Sequence, residues 1–387
     1  MDIYLDNSAT TKPYKEVIDE IAIGMEEYYG NPSSLHGLGI KSEKKINEAR
    51  NFIGKCINAS KEEIYFTSGG SESNNLIIKG LAKPGHHIIT TVFEHHSVLM
   101  TYKELEKNGV KVTYLNVDSN GKVSIDDIKN SITKETVLVS IMHVNNEMGS
   151  VQDLVEIGKV IKEKSSRARF HVDAVQSFGK LNIDVKKMNI DMLTASSHKI
   201  HGPKGVGFIY IKKGLVLNPL IHGGSQEGGV RGGTQNVPGI IGFHKAAEIT
   251  MENINDSYKK VNELKEYMIN KLSEIDNIRI NSPLSDDFTP YILNVSFTGV
   301  RAEVLLHLLE ENNIFVATGS ACTSKTSSVQ GSYVIKALGL SKGEVESAIR
   351  FSFSKFNTKE EIDKTVEVLK NSLRFLRRVK NESTNIS

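Results

Sequence analysis

Apolar runs of strand length alternate with helix-period apolar faces through the first two-thirds of the chain. Segments 64–66, 88–92, 112–115, 137–141, 170–172 and 192–194 predict strands, and Leu154, Ile157, Val160 and Ile161 give one apolar face to a helix between two of them. Alternation of this kind predicts an α/β architecture, a mostly parallel sheet with helices on both faces. Such sheets take ligands in the crevice beyond the carboxyl ends of their strands.

From about residue 255 the texture changes. Val261, Leu264, Met268, Leu272 and Ile275 follow the spacing of one face of a long amphipathic helix. Strands are predicted at 291–298, 314–318 and 348–353, with a helix around 303–309. Thr358 with Glu361 three residues later forms a capping-box pattern, opening a helix whose apolar face is Ile362, Val366, Leu369, Leu373 and Leu376. The expected organisation is a large α/β domain over 15–254 and a smaller α+β domain over 1–14 and 255–378. A polar tail, expected to fray, covers 379–387.

Composition narrows the function classes. Apolar residues make up 39% and a further 31 residues are glycine, enough for a sizeable core. The formal net charge is only +2 with no basic block, so direct nucleic-acid binding is not expected. No stretch approaches the ~18 apolar residues of a membrane span, and no charged segment leads into an apolar one at the start. A cytoplasmic protein is therefore expected. The two cysteines, Cys56 and Cys322, offer neither a disulfide framework nor a structural zinc site, and the histidines lack metal-ligand spacing.

Three segments carry candidate chemistry. Thr67-Ser68-Gly69-Gly70-Ser71-Glu72-Ser73-Asn74 joins a predicted strand to a helix, a turn whose N–H groups suit a phosphate or serve a purely structural bend. In His171-Val172-Asp173-Ala174-Val175-Gln176 a carboxylate ends a strand. It suits the pyridine nitrogen of pyridoxal 5'-phosphate (PLP), and equally a helix cap or a core ion pair. Twenty-six residues after Asp173, Ser196-Ser197-His198-Lys199 precedes Ile200-His201-Gly202-Pro203-Lys204-Gly205. Hydroxyl and imidazole donors before a lysine, with a Gly/Pro turn after it, are the layout of a Schiff-base lysine. Lys204 is the rival amine but lacks the Ser-Ser-His lead-in.

With these blocks the chain resembles the NifS/IscS family of cysteine desulfurases, class V of the fold-type I PLP enzymes. The resemblance runs from Tyr4-Leu5-Asp6-Asn7-Ser8-Ala9-Thr10-Thr11 to about Leu376. It includes Gly30-Asn31-Pro32-Ser33-Ser34, Glu94-His95, His143-Val144-Asn145-Asn146-Glu147, Arg231-Gly232-Gly233-Thr234 and Gly319-Ser320-Ala321-Cys322-Thr323. It implies a seven-stranded-type sheet in the large domain, PLP as cofactor, L-cysteine as substrate and a homodimer. The sulfur acceptor it implies is an iron–sulfur scaffold protein or a tRNA-thiolation enzyme.

Residue roles follow from the same resemblance. Lys199 matches the cofactor lysine and proton shuttle, Asp173 the pyridinium partner, and Gln176 the donor to the ring hydroxyl. His95 matches the ring-stacking histidine, counted with Lys199 and Cys322 as catalytic. Asn146 matches a contact to cofactor and substrate. Gly70, Ser71, Ser196 and His198 fall at the phosphate cup, Ser197 is counted among the cofactor-binding residues, and Thr234 falls at a residue that reaches the phosphate across a dimer interface. Arg350 matches the clamp on the substrate carboxylate, a task its rigid fork suits.

Cys56 sits in an apolar helical setting and reads as a small buried hydrophobe. Cys322 precedes Thr323-Ser324-Lys325-Thr326-Ser327-Ser328-Val329-Gln330-Gly331, the composition of a mobile loop, with a lysine that favours the thiolate. A nine-residue stretch spans at most ~30 Å, enough to swing from active site to partner. Three positions depart from the common pattern. Gly70-Ser71 replaces Ala-Thr and keeps a hydroxyl, Gly228 stands where arginine is frequent, and the Cys322 loop is about two residues longer. Rival readings are a selenocysteine lyase or another class V enzyme, such as an aminotransferase, and a non-catalytic PLP-binding scaffold.

Overall fold

A computed structural model describes residues 2–319 and 332–384, with side chains as far as Val379. Its strands are β1 (Ile3–Tyr4), β2 (Ile64–Thr67), β3 (His87–Thr91), β4 (Lys111–Leu115), β5 (Thr136–Met142), β6 (Arg169–Asp173), β7 (Met192–Ser196), β8 (Gly207–Ile211), β9 (Ile278–Ile280), β10 (Ile292–Phe297), β11 (Ile314–Phe315) and β12 (Ala348–Ser352). Seven form one sheet in the order β2-β8-β7-β6-β5-β3-β4, in which only β8 runs against the rest. The alternating pattern of the sequence therefore gives the mostly parallel sheet it predicts.

Burial explains why these strands read as continuous apolar runs. Every residue of β3, β5, β7 and β8 is buried, because helices cover both faces. Ile88, Leu138, Met192 and Ile209 pack on one face with Leu76, Ile77 and Val98 of helices Gly70–Leu81 and His96–Lys107. Their neighbours Ile89, Val139, Leu193 and Phe208 point the other way, toward Val17, Ile53 and Phe243 of helices Lys15–Glu27, Gly37–Cys56 and Val237–Glu252. The period of two along each strand thus divides the core into two layers.

A second sheet is antiparallel, in the order β12-β10-β9, and has its own apolar cluster. Val261, Leu264, Met268 and Leu272 of helix Ile254–Leu272 pack there with Ile362, Val366, Leu369 and Leu373 of helix Lys359–Thr384. The capping box at Thr358 and Glu361 forms in both directions, each bond 3.2 Å. The N-terminal segment ties the two sheets together: Asn7 Nδ2 donates to the Ser352 carbonyl at 2.9 Å, and Thr11 Oγ1 to the His198 carbonyl at 2.9 Å. Ser8 and Ala9 lie on the span between these two anchors.

Three elements differ from the sequence reading. β8 is absent from it; its run follows directly on the Gly/Pro turn at 202–205. β9 was too short to register. The C-terminal helix continues through Thr384 instead of ending at Arg378. Arg377 holds it down by donating to the carbonyls of Asp276, Asn277 and Thr298. No described helix is long and apolar enough to cross a membrane.

Candidate active site

The carboxyl ends of β2, β3, β5, β6 and β7 open on one cavity of about 210 Å³, far more than the ~15 Å³ that admits a water. Gly70 and Ser71 start the helix after β2, and His95 caps the helix after β3. Asn146 follows β5, Asp173 ends β6, Ser196 ends β7, and His198 and Lys199 come directly after it. Gln176 and Arg350 complete the wall. Ten residues chosen from the sequence, spread over 281 positions from Gly70 to Arg350, thus share one cavity because each follows or ends a strand of one sheet edge. Arg350 is the exception and comes from β12 of the second sheet.

At the phosphate-type turn, Gly69 has φ +146°, a left-handed conformation that glycine adopts without Cβ strain. This bend points the first turn of helix Gly70–Leu81, with its unsatisfied N–H groups, into the cavity. Thr67 Oγ1 and Ser73 Oγ lock the turn at 2.7 Å.

Asp173 is buried, and its two oxygens have separate donors. Val175 N–H donates to Oδ1 at 3.0 Å and Asn74 Nδ2 to Oδ2 at 2.8 Å. Gln176 donates from Nε2 to the Ser8 carbonyl at 2.8 Å, and its Oε1 accepts from Lys180 at 3.3 Å. Lys180 is buried, and its amine is pushed down to about 7 by that burial, with Lys199 and Arg350 adding positive repulsion.

Lys199 Nζ donates to the carbonyls of Ser8 and Ala9 at 2.6 and 2.7 Å, so the N-terminal segment aims the amine across the cavity. Lys204, the rival amine, is exposed and lies outside the cavity. His198 Nδ1 meets Thr10 Oγ1 at 3.1 Å, and burial with the charges of Lys199, Lys204 and Lys180 pushes its imidazole down to about 3. It is neutral at physiological pH. Ser197 does not line this cavity: its buried Oγ lies where a Cβ at residue 202 would fall, so it packs against Gly202.

Arg350 is 1% exposed. Its Nη1 donates to the Asn146 carbonyl at 2.9 Å and its Nη2 to Asp6 Oδ1 at 2.7 Å, while Nε has no partner among the described residues. Ser8 Oγ, Asn74 Oδ1 and Asn146 Oδ1 are likewise buried around the cavity with no partner among the described residues. Four orphaned polar atoms about one cavity are what a polar ligand would satisfy.

Cys322 lies outside the described residues. The described chain approaching it pairs Ala317 with Arg350 through two backbone hydrogen bonds, 3.2 and 2.7 Å. Gly319 packs on Glu147, and Ser332, on the far side of the segment, donates to Glu147 Oε2. Both flanks therefore rest on the residue next to Asn146.

Thr234 is not in the main cavity. It lines a separate one of about 100 Å³ with Arg231, Glu227 and Gly205. Glu227 accepts from Arg50 Nη1 and Nη2 at 2.7 and 2.9 Å, and Arg231 Nε donates to Glu72 Oε1 at 2.9 Å, on the phosphate-turn helix. Gly228 has φ +61°, a left-handed conformation that glycine adopts without Cβ strain.

The aminotransferase class-V family model matches residues 3–365. A Clostridium botulinum protein named cysteine desulfurase IscS is 47% identical over 373 residues, covering 95% of this chain and 93% of that one. A namesake from Methanosarcina thermophila is 43% identical, covering 97% and 93%. The chain belongs to the cysteine desulfurases of the class-V aminotransferase family.

Solved structures agree with this desulfurase fold. One described as a NifS-like protein superposes with a TM-score of 0.91 at 39% identity, covering 97% of this chain and 100% of that one. Another, described as SspA in complex with cysteine, gives 0.81 at 37%, covering 92% and 100%. The desulfurase cavity also holds residues to which the sequence assigned no role: Ser8, Ala9, Asn74, Ser97, Met142 and Val175. Ser8 and Asn74 stand inside motifs that carry the resemblance, the only signal that could have singled them out.

Proposed function

We propose that this protein is a PLP-dependent cysteine desulfurase that converts L-cysteine to L-alanine and keeps the sulfur as a persulfide on Cys322. The observation that carries this reading is the convergence of Lys199, Asp173 and Arg350 on one cavity with unpartnered buried polar atoms. An amine, a carboxylate and a guanidinium there match a cofactor aldehyde, a pyridine nitrogen and a substrate carboxylate. Selenocysteine as the preferred substrate has no observation in its favour.

The donor set fits PLP. Gly70, Ser71, Ser196 and His198 would hold its phosphate, Asp173 its ring nitrogen and Gln176 its ring hydroxyl, while His95 would cover the ring and Lys199 would carry its aldehyde. When bound, the ring supplies an electron sink that acidifies the substrate Cα–H.

The chain's own residues do the rest. Arg350 clamps the substrate carboxylate, with Asn146 beside it, and Lys199 removes and returns the proton at Cα. The Cys322 thiolate attacks the substrate sulfur, so an S–S bond forms as the C–S bond breaks. The C–S electron pair stays with carbon, which takes a proton to become the methyl of alanine. No outside oxidant or reductant is needed. The persulfide then passes to an acceptor protein, an iron–sulfur scaffold or a tRNA-thiolation enzyme. A reactive thiol suits the cytoplasm, where cysteines stay reduced. The working unit is a homodimer in which Thr234 serves the neighbouring site.

The test is mass spectrometry of the protein mixed with L-cysteine. The Cys322 peptide should gain one sulfur atom, removable by a thiol, and alanine should appear. C322S should keep its cofactor yet form almost no alanine, whereas C56S should match wild type, since burial pushes the Cys56 thiol up to about 12. Alanine release by C322S at the wild-type rate would overturn the mechanism.

A further inference from the structure

Between Asp173 and His95 runs an unbroken chain of side-chain hydrogen bonds through two residues that the reaction above does not use. Asn74 Nδ2 donates to Asp173 Oδ2 at 2.8 Å and to Ser97 Oγ at 2.9 Å, and Ser97 Oγ lies 2.8 Å from His95 Nδ1. Asn74 is 1% exposed, with the cavity on one side and the Asp173 strand on the other.

The donor inventory gives the chain a direction. A carboxylate only accepts, so Asn74 must present its amide NH2 to Asp173, and its second hydrogen goes to Ser97. Having accepted there, the Ser97 hydroxyl has both a hydrogen to give to His95 Nδ1 and a second lone pair to accept with. The Ser97 backbone N–H decides between them: it can only donate, and it points at Nδ1 from 3.2 Å, so the hydroxyl donates as well. Nδ1 thus faces two donors and has no place for a proton of its own. The ring's one hydrogen must sit on Nε2.

We propose that Asn74 and Ser97 are positioning residues that fix His95 as the neutral Nε2–H tautomer, so that His95 stacks and donates a hydrogen bond while proton transfer falls to Lys199. A ring in this state is a poor base, because Nδ1 is occupied by donors. It is also a poor acid, because losing its Nε2 proton would leave an anion. The proposal rests on the functional reading above for the roles of His95 and Lys199, but the tautomer itself does not.

The electrostatics around the ring point the same way. Burial pushes the imidazole down, Lys199 and His96 add to that, and Asp173 opposes it. These groups are common to the wild type and the variants below, so differences between them report the hydrogen bonds.

The experiment is nitrogen NMR of the full-length protein labelled at its 12 histidines, as purified, with the His95 signals assigned by their loss in H95Q. The expected wild-type spectrum shows His95 Nδ1 unprotonated and Nε2 protonated throughout the neutral range. Removing the hydroxyl in S97A should raise the ring's pKa by about one unit, the effect of losing one hydrogen bond to the neutral form. S97T, which keeps a hydroxyl, should restore the wild-type titration. N74A, which does not touch the ring, should move the titration in the same direction as S97A.

A proton on Nδ1 in the wild type overturns the proposal. So does an N74A titration identical to wild type, since the relay would then carry nothing. A protein with the expected tautomer but no persulfide on Cys322 would instead refute the functional reading and leave the relay standing.

Discussion

Arg350 Nη2 holds Asp6 Oδ1 at 2.7 Å, joining the second sheet to the N-terminal segment at the cavity wall. The fork is buried and fixed before any substrate arrives. Lysine in its place offers one point charge and no second parallel hydrogen bond. R350K should therefore lower kcat/KM for cysteine roughly 10- to 100-fold, mostly through KM, by losing a charge-assisted hydrogen bond. Steady-state kinetics on L-cysteine would show it, and an unchanged KM would remove Arg350 from the carboxylate clamp.

Lys199 and Lys204 stand five residues apart, yet only Lys199 lines the cavity, its amine held by the carbonyls of Ser8 and Ala9. Borohydride treatment of the yellow protein should fix the cofactor on the Lys199 peptide. K199A should lose the reducible imine and K204A should keep it. Label on Lys204 would refute the assignment.

Thr234 lies outside the main cavity of its own chain. If it serves the neighbouring subunit, a mixed dimer of K199A and T234V contains one intact site, with Lys199 from the T234V chain and Thr234 from the other. Mixing the two inactive or impaired proteins after partial unfolding should then recover part of the activity. No recovery from dimers shown to have mixed would place Thr234 in its own chain's chemistry or in none.

Lys265 is fully buried in the second core, donating to the carbonyls of Thr289 and Pro283 at 3.1 and 3.3 Å. Burial pushes its amine down to about 7. An unfolded lysine titrates near ~10.4, so between these values the unfolded chain binds a proton that the folded chain has shed. Stability should therefore rise with pH from about 7 to about 10 on this account. Lys180, pushed down to the same value, contributes alongside. K265M should flatten the rise by about half of the lysine contribution. Denaturant melts across this window would read it, and a wild-type slope in K265M would show that Lys265 stays charged in the fold.

The sequence by itself determined the architecture and named ten of the residues that line the cavity. Continuous apolar runs of strand length and the 3.6-residue faces of the long helices are local patterns, so the sheet and its covering layers were legible without coordinates. Lys199 stood out because its motif is short and contiguous, whereas Arg350 and the role of Asp173 were named only through the family resemblance. What lay beyond reach was whatever depends on distant segments meeting. The place of β8, between β2 and β7 and running against the rest of the sheet, is decided by that pairing and by no local pattern.

Ser197 and His198 are adjacent in the sequence, yet the turn after β7 sends one side chain to the cavity and the other against Gly202. The low-lying amine of Lys180 follows from burial beside Lys199 and Arg350, which no local pattern encodes. The direction of the hydrogen bonds from Asp173 to His95 depends on which atoms of Asn74 and Ser97 face each other across two helices and a strand. Local propensity selects elements and marks reactive residue types. Protonation, tautomer and orientation are set by burial and by partners brought from far along the chain, and those only the tertiary structure decided.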